Sequence, residues 1–184
     1  PKLPNETQKA LNGIQMGLLV KIALLFDGNR LGFTENSFLQ YDIAPENIGS
    51  GCYFLAWPTG HDYIVGFIGG RFAWNLSKQG EDEVVEYALS KLVNLSGSNI
   101  RKHFRKGFAS DWASNPLTKG SYSAVKPGYY GARELLNEPI AEKLIFAGEA
   151  TAGDLAGLVN GAYESGKKAA TRISNIIKLK NKSL

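Results

Sequence analysis

The chain has 184 residues, of which 43% are hydrophobic and 21% are charged, as in an ordinary globular protein. Its 21 basic and 17 acidic side chains give a net charge of +4, and the basic excess lies mostly in 101–106 and 167–182, where Phe104 is the only aromatic residue. No run of eighteen apolar residues occurs, which excludes a membrane span. A solvated helix face and a frayed tail explain the basic excess better than a nucleic-acid site. The single Cys52 excludes an internal disulfide framework, and we expect a cytoplasmic protein.

The N-terminal half predicts helices mixed with strands. One or two helical turns over 6–11 precede the run 18–26, which is apolar on both faces and therefore predicts a buried strand. Residues 52–58 and 62–69 predict a hairpin, because a Thr-Gly-His turn region separates two apolar runs. Residues 81–95 predict a helix, because apolar residues recur at helical spacing behind an acidic first turn.

The C-terminal half predicts fewer regular elements. Residues 100–112 predict a strand, and 113–130 predict a loop because they are rich in Gly, Pro, Ser and Asn. A short helix over "ARELL" precedes "KLIFAGE", which predicts a strand ending in a glycine turn. A final helix from about 157 to 177 precedes the tail "KLKNKSL", which we expect to fray.

Several common catalytic motifs find no support in the sequence. Neither His61 nor His103 has a nucleophile and a carboxylate at a spacing that suggests a hydrolase triad. No cluster of His, Cys and Asp has metal-ligand spacing, so we expect no metal. The segment 161–167 fits the G-x-x-x-x-G-K pattern of a phosphate-binding loop. However, Lys168 stands where Mg²⁺ needs Ser or Thr, and the segment predicts helix interior, so this is not a phosphate-binding loop.

The final helix carries many small residues. They recur every four positions in two adjacent rows, Gly161, Ser165 and Ala169, and Ala162, Gly166 and Ala170. Such rows form a flat face that another backbone or a planar ligand can approach, so tight helix packing and a ligand site are both compatible with them. The preceding turn favours a ligand, because Gly148 and Glu149 end a predicted strand and ligands lie beyond the carboxyl ends of strands in α/β sheets.

Three segments together resemble the flavin-containing amine oxidases, which include monoamine oxidases, polyamine oxidases and lysine-specific histone demethylases. The stretch "LIFAGEAT…GLVNGAYESGKKAATRI" is similar to the closing flavin-binding motif of that family. The stretches "SDWASNPLTKGSYSAVKPG" and "MGLLVKIALLFD" resemble two further signatures, in the right order and spacing. Carotenoid desaturases and protoporphyrinogen oxidases share a related final helix, but the pair "GEAT" and "W…GSYS" fits the amine oxidases better.

The resemblance implies an α+β chain that is the C-terminal part of a two-domain FAD-dependent amine oxidase. Residues 1–130 would belong to a mixed-sheet substrate domain, 131–178 would supply the last strand and helix of the FAD-binding α/β domain, and 179–184 would be a frayed tail. The family's G-x-G-x-x-G turn for the FAD diphosphate is not found in this sequence, so we expect a missing N-terminal FAD-binding segment as a partner. The chain alone would be apo and inactive, with exposed apolar surface and a tendency to self-associate.

The resemblance also implies catalytic roles. Lys21 matches the family lysine that holds a water beside the reactive flavin nitrogen, which implies a buried ammonium. The residues alone favour a different role for Lys21, a side chain that extends from an edge strand into water, because lysines are rarely fully buried. The resemblance favours the functional role. Tyr122 would be catalytic on the wall of the amine site, and Trp112 would pack against the flavin, although such an aromatic pair more often belongs to a core.

The cofactor-binding residues implied by the resemblance are Gly148, Glu149, Leu158 and Val159. Glu149 would bind the ribityl or diphosphate region of FAD, and its alternative role is a helix-cap carboxylate. Backbone N–H groups of Leu158 and Val159 would meet the flavin's pyrimidine edge, where the helix dipole favours negative charge. Ser121 replaces the flavin-linked cysteine of monoamine oxidases, which implies non-covalent FAD. Leu158 replaces the second aromatic residue of their cage.

The implied activity is oxidation of an amine C–N bond to an imine, with O₂ as the acceptor and H₂O₂ as a product. The sequence does not identify the amine. The alternatives are a desaturase-like or protoporphyrinogen oxidase-like flavoenzyme and a non-catalytic binding module derived from an oxidase. Retention of Lys21, Trp112, Tyr122 and Glu149 argues against a binding module, because binding alone does not require that set.

Overall fold

The fold is described from a computed structural model, in which residues 2–40 and 43–182 are described. The chain forms two compact units, one from 2–17 with 122–182 and one from 18–121. Both units combine helices with antiparallel strands, which confirms the predicted α+β class. Among the described residues, no helix has the length and apolar character that crossing a membrane requires.

Six helices and seven strands are described, together with short 3₁₀ turns. The helices are α1 (Asn5–Gly13), α2 (Gly70–Ser77), α3 (Glu81–Ser96), α4 (Ile100–His103), α5 (Ala132–Leu135) and α6 (Val159–Lys182). The strands are β1 (Ile14–Gly17), β2 (Leu19–Phe26), β3 (Ser37–Leu39), β4 (Tyr53–Ala56), β5 (Tyr63–Gly69), β6 (Phe104–Ala109) and β7 (Tyr122–Val125).

The unit formed by 18–121 is built on a five-stranded sheet in the order β3-β4-β5-β2-β6. Every described strand pair is antiparallel, so the sheet is not the mixed sheet that we expected. Helices α2 and α3 cover one face, where apolar side chains form the core of the unit. Gly107 on β6 allows α3 to approach, because a Cβ at this position would lie 2.2 Å from Cγ1 of Val85.

The predicted hairpin and the helix α3 are confirmed in this unit, and two predictions are corrected. Strand β2 is buried on only one face, because every second residue lies on the side that no helix covers. The segment 100–112 begins as the helix α4 before β6 starts at Phe104, so it is a strand only in part. The sequence did not predict β3 or α2.

The unit formed by 2–17 and 122–182 has a small core between α1 and α5, which consists of Ala10, Ala132 and Leu136. Strand β1 pairs with β7 from Ile14↔Val125 to Gly17↔Tyr122. The predicted loop 113–130 therefore contains a strand. The cause is its pairing with a segment about a hundred residues earlier, which local composition does not reveal.

The predicted strand around 144–147 is wrong for this structure. Leu144 forms only an isolated antiparallel bridge with Ile140. Residues 145–147 form no strand pair with any described residue. A strand requires a hydrogen-bonded neighbour, and apolar character alone does not supply one. Helix α6 continues to Lys182, past the predicted end at 177, and its last turns are supported by an ion pair of 3.1 Å between Lys180 and Glu142.

Candidate functional site

Lys21 lies on the uncovered face of the five-stranded sheet. Strand β2 alternates between the core and this face, which places Lys21 beside Leu19 and Ala23, as the sequence predicted. Phe67 of β5 lies directly opposite Lys21 in the antiparallel register. Lys21 is exposed in the described part of the chain. The described residues therefore do not bury it, although the resemblance implies a buried ammonium.

The surface around Lys21 is unusually apolar for an exposed sheet. One row of side chains crosses all five strands in register, and it consists of Phe38, Leu55, Val65, Ala23 and Phe108. Phe38 and Phe108, at the two ends of this row, are 76% and 60% exposed. Contiguous exposed apolar surface of this kind marks a binding or packing site. We call this row, together with Lys21 and Phe67, the sheet face.

The segment that carries Trp112 begins and ends against the start of β2. Ser110 Oγ accepts a hydrogen bond from the Lys21 amide at 3.0 Å, which extends the pairing of β6. Ser121 Oγ both accepts from the Leu19 amide and donates to the Leu19 carbonyl, each at 2.9 Å. The serine therefore replaces a strand partner at this edge. Trp112, between these two anchors, is 45% exposed and does not belong to the core.

Glu149 joins two segments of the other unit. Its Oε1 accepts the Ser123 amide at 2.8 Å, and its Oε2 accepts both the Ser123 hydroxyl and the Gly157 amide at 2.8 Å. Tyr122 comes directly before Ser123, and Leu158 comes directly after Gly157. These contacts lie ahead of α6, which begins at Val159, so Glu149 does not act as the cap of that helix.

A second layer of hydrogen bonds surrounds Ser123, and the sequence analysis missed it. Arg133 donates to Ser123 Oγ at 2.6 Å, to the Ser123 carbonyl at 3.1 Å and to the Ala150 carbonyl at 2.9 Å. Asn137 then donates to the carbonyls of Arg133 and Thr151, at 3.2 and 2.9 Å. Arg133 belongs to a helix of four residues, which is too short for a periodic pattern to single out its side chain.

The row Gly161, Ser165 and Ala169 packs against the loop that precedes α6. A Cβ at Gly161 would lie 2.0 Å from the carbonyl oxygen of Leu155, so the loop backbone is what excludes a side chain there. In the neighbouring row, a Cβ at Gly166 would meet no described atom within 4 Å. A cavity of about 210 Å³ lies beside the first row and is lined in part by Phe146 and Ala169.

Gly148 is held to α6 by side-chain hydrogen bonds. Its amide donates to Ser165 Oγ at 3.1 Å, and the hydroxyls of Ser165 and Thr151 lie 2.7 Å apart. The φ angle of Gly148 is +134°, which L side chains rarely adopt, and a Cβ built on it would meet no described atom within 4 Å. One side of this glycine is therefore open to a ligand.

The start of α6 is exposed. Leu158 is 50% exposed and Val159 is 91% exposed. The first N–H groups of a helix have no acceptor within the helix. The Leu158 amide, directly before α6, donates to the Leu155 carbonyl at 3.3 Å, so among the described residues it is the Val159 amide that is available to an acceptor edge of a ligand. Open Gly148 and the exposed start of α6 are therefore two places in this unit where a ligand could approach the backbone.

Residues 1–174 match the family model for flavin containing amine oxidoreductases. The chain belongs to this family. It is 30% identical over 181 residues to lysine-specific histone demethylase 1 homolog 2 of Arabidopsis thaliana, covering 96% of this chain and 24% of the relative. It is 33% and 34% identical to polyamine oxidases 5 and 4 of Oryza sativa subsp. japonica, covering 92% of this chain and 34% of each relative.

The chain thus spans about a quarter to a third of the length of these amine oxidoreductases. Of the seven residues predicted for the site, Lys21 and Trp112 belong to the unit 18–121. The other five belong to the second unit, Tyr122, Gly148, Glu149, Leu158 and Val159. In the described part of the chain, no group of three or more His, Cys, Asp or Glu side chains could hold a metal ion.

Proposed function

We propose that this chain is part of an FAD-dependent amine oxidase that oxidises an amine C–N bond to an imine. The observation that carries the proposal is Lys21 on an exposed, apolar sheet face. A surface of this kind becomes a dry pocket once a ligand or another segment covers it, and a lone cation then exerts its full electrostatic effect. The names of the relatives, polyamine oxidases and histone demethylases, support an amine as the substrate class.

Bound FAD would supply the oxidising chemistry, which is the removal of a hydride equivalent from the carbon next to the amine nitrogen, with O₂ as the final acceptor and H₂O₂ as the product. Lys21 would hold a water and attract O₂ or its reduced form through its ammonium charge. The Tyr122 ring, 41% exposed, would form the wall against which the neutral amine is oriented. Trp112 would pack against the flavin ring and exclude water from the reacting atoms.

The cofactor would be held without a covalent bond. Ser121 cannot form a thioether, and its hydroxyl is already engaged with both backbone groups of Leu19. The Val159 amide, and the Leu158 amide once it leaves the Leu155 carbonyl, would bind the pyrimidine edge, where the dipole of α6 stabilises negative charge. Glu149 would accept a hydrogen bond from the ribityl chain.

The proposed domain organisation assigns residues 1–130 to the substrate domain and 131–178 to the FAD-binding domain. Residues 145–147 have no strand partner among the described residues, which supports a further partner, because an apolar segment without a neighbouring strand is a site for strand pairing. We propose that a segment outside this chain, which carries the diphosphate-binding turn, supplies that strand. Without that segment the chain would bind no FAD and would be catalytically inactive, and its exposed apolar surface would favour self-association.

The test of the activity uses the complete FAD-loaded protein with a panel of amines that contains spermine, an N-methylated lysine peptide and benzylamine. Anaerobic bleaching of the flavin by an amine, followed by peroxide release when O₂ is admitted, is the expected result. A flavin that no amine bleaches would contradict amine oxidation and would favour a desaturase-like enzyme or a binding module.

The test of the domain proposal uses the 184-residue chain alone. Titration with FAD, followed by flavin fluorescence, is expected to show no saturable binding, because the diphosphate-binding turn is not in this sequence. Stoichiometric binding at micromolar FAD would show that these residues suffice for the cofactor site, and the domain proposal would be wrong.

A further inference from the structure

Tyr122 and Leu158, which the family resemblance assigns to the amine pocket, are held by their immediate neighbours in one compact unit. A Cβ built on Gly157 would lie 3.9 Å from Cβ, Cγ and Cδ2 of Tyr122, so the tyrosine side chain packs beside this glycine. The φ angle of Gly157 is +78°, a conformation that L side chains rarely adopt. The positions of Tyr122 and Leu158 therefore depend on how firmly Ser123 and Gly157 are fixed.

A single carboxylate fixes both of these neighbours. Glu149 accepts the two Ser123 hydrogen bonds and the Gly157 hydrogen bond, all at 2.8 Å. Hydrogen bonds to an ionised carboxylate are stronger than those between neutral groups. Loss of the Glu149 geometry would therefore release both segments together.

Arg133 controls the geometry of Glu149, although its described side-chain hydrogen bonds are made to Ser123 and Ala150 and not to Tyr122 or Leu158. Its guanidinium donates to Ser123 Oγ at 2.6 Å, so the hydroxyl proton of Ser123 is directed to Glu149 Oε2. It also donates to the carbonyls of Ser123 and Ala150, and Ala150 is the residue after Glu149. The rigid fork of the guanidinium thereby sets the position of Glu149 from both sides.

We propose that Arg133 is a positioning residue for the amine pocket, which acts through Ser123 and Glu149 on Tyr122 and Leu158. The effect on the amine rests on the proposed function, whereas the coupling between Arg133 and Gly157 does not. Lys126 offers a matched control, because it is an exposed cation in the same unit that donates to the Asn12 carbonyl at 2.8 Å.

The first test measures amide hydrogen exchange in the full chain. Arg133→Met is expected to speed exchange at the Gly157 amide by about tenfold or more, although Arg133 does not bond to Gly157, whereas Lys126→Met leaves that rate unchanged. Ser123→Ala removes the hydroxyl between Arg133 and Glu149 and is expected to reproduce the effect if Arg133→Met fails to fold. Unchanged exchange at Gly157 in the folded variants would overturn the proposal.

The second test uses the complete FAD-loaded protein and an amine that bleaches its flavin. Arg133→Met is expected to raise KM for the amine by about tenfold or more while the rate of flavin reoxidation by O₂ stays unchanged. The double variant with Glu149→Gln should lose no more than the worse single variant, since Arg133 acts on the pocket through Ser123 and Glu149. Additive losses, or loss of both half-reactions in proportion to stability, would overturn the positioning role. If no amine bleaches the wild-type flavin, the proposed function fails while the exchange test still decides the coupling.

Discussion

The two glycines of α6 provide a matched pair of substitutions. Gly161→Ala places a Cβ 2.0 Å from the carbonyl oxygen of Leu155, and ordinary contact begins at 3.4 Å, so the loop must retreat by about 1.4 Å. That carbonyl also accepts the Leu158 amide at 3.3 Å, so the retreat disturbs the entry to the helix. Gly166→Ala meets no described atom within 4 Å and serves as the control.

The two substitutions should change stability in opposite directions. Overpacking against backbone costs about 1–3 kcal/mol, and the obstacle at Gly161 is a carbonyl that cannot rotate away, so we expect the upper part of that range. Ala gains about 1 kcal/mol over Gly in a helix interior, which leaves Gly161→Ala destabilised by about 2 kcal/mol and Gly166→Ala stabilised by about 1 kcal/mol. For a chain of this length these values correspond to a Tm lower by about 4–8 °C and higher by about 2–4 °C.

Far-UV circular dichroism during thermal unfolding of the 184-residue chain measures both changes. Hydrogen exchange of the α6 amides localises them, because the three tryptophans all lie in residues 18–121 and their fluorescence reports the other unit. A Gly161→Ala variant as stable as the wild type would refute the close backbone approach. In the complete protein, a destabilised Gly166→Ala variant would show that another segment packs on the second row.

Lys21→Met in the complete enzyme is expected to slow flavin reduction or reoxidation by about 10²-fold or more while FAD stays bound, and unchanged rates of both half-reactions in stopped flow would leave the lysine without a catalytic role. Precipitation of the holoprotein with trichloroacetic acid should release all of its FAD, because Ser121 forms no thioether, whereas a yellow pellet would contradict non-covalent binding. Hydrogen bonding from His103 and the nearby Arg105 charge lower the pKa of Asp27 below 3.8. The free energy of unfolding of the wild type should therefore exceed that of Asp27→Asn by its full amount above pH 3.8, and this difference should disappear as the pH falls through the lowered pKa. A difference in urea unfolding that persists below that pKa would refute the lowered pKa of Asp27.

The local sequence pattern was sufficient to predict an element where one side of that element is buried and the other side is exposed to solvent. Helix α3 alternates apolar and polar residues at helical spacing, and its observed range Glu81–Ser96 extends the predicted one by a single residue. The hairpin of β4 and β5 was also predicted from local sequence, because turn residues separate two apolar runs. In both elements the local preference agrees with the tertiary environment.

Prediction failed where the partner of a segment is distant in sequence or is not found among the described residues. Strand β7 forms because Tyr122–Val125 pairs with Ile14–Gly17. Neither segment has an alternating pattern that is strong enough to predict a strand. The run 144–147 has the composition of a buried strand but lacks a partner among the described residues. The run 18–26 reads as buried on both faces, yet the structure covers one face only. An apolar residue pattern thus indicates that a segment favours burial, but it does not identify the neighbour that would bury it.

Glu149 shows why a motif does not fix the number of contacts that a carboxylate makes with a ligand. An ionised carboxylate offers about four acceptor sites, and the hydrogen bonds from Ser123 and Gly157 already occupy three of them, two on Oε2 and one on Oε1. The remaining site on Oε1 can accept one hydroxyl. If Glu149 binds the ribityl chain of FAD, it therefore does so through a single hydrogen bond while it holds its own loop. A bidentate contact would require release of Ser123 or Gly157, and with them the segments that carry Tyr122 and Leu158.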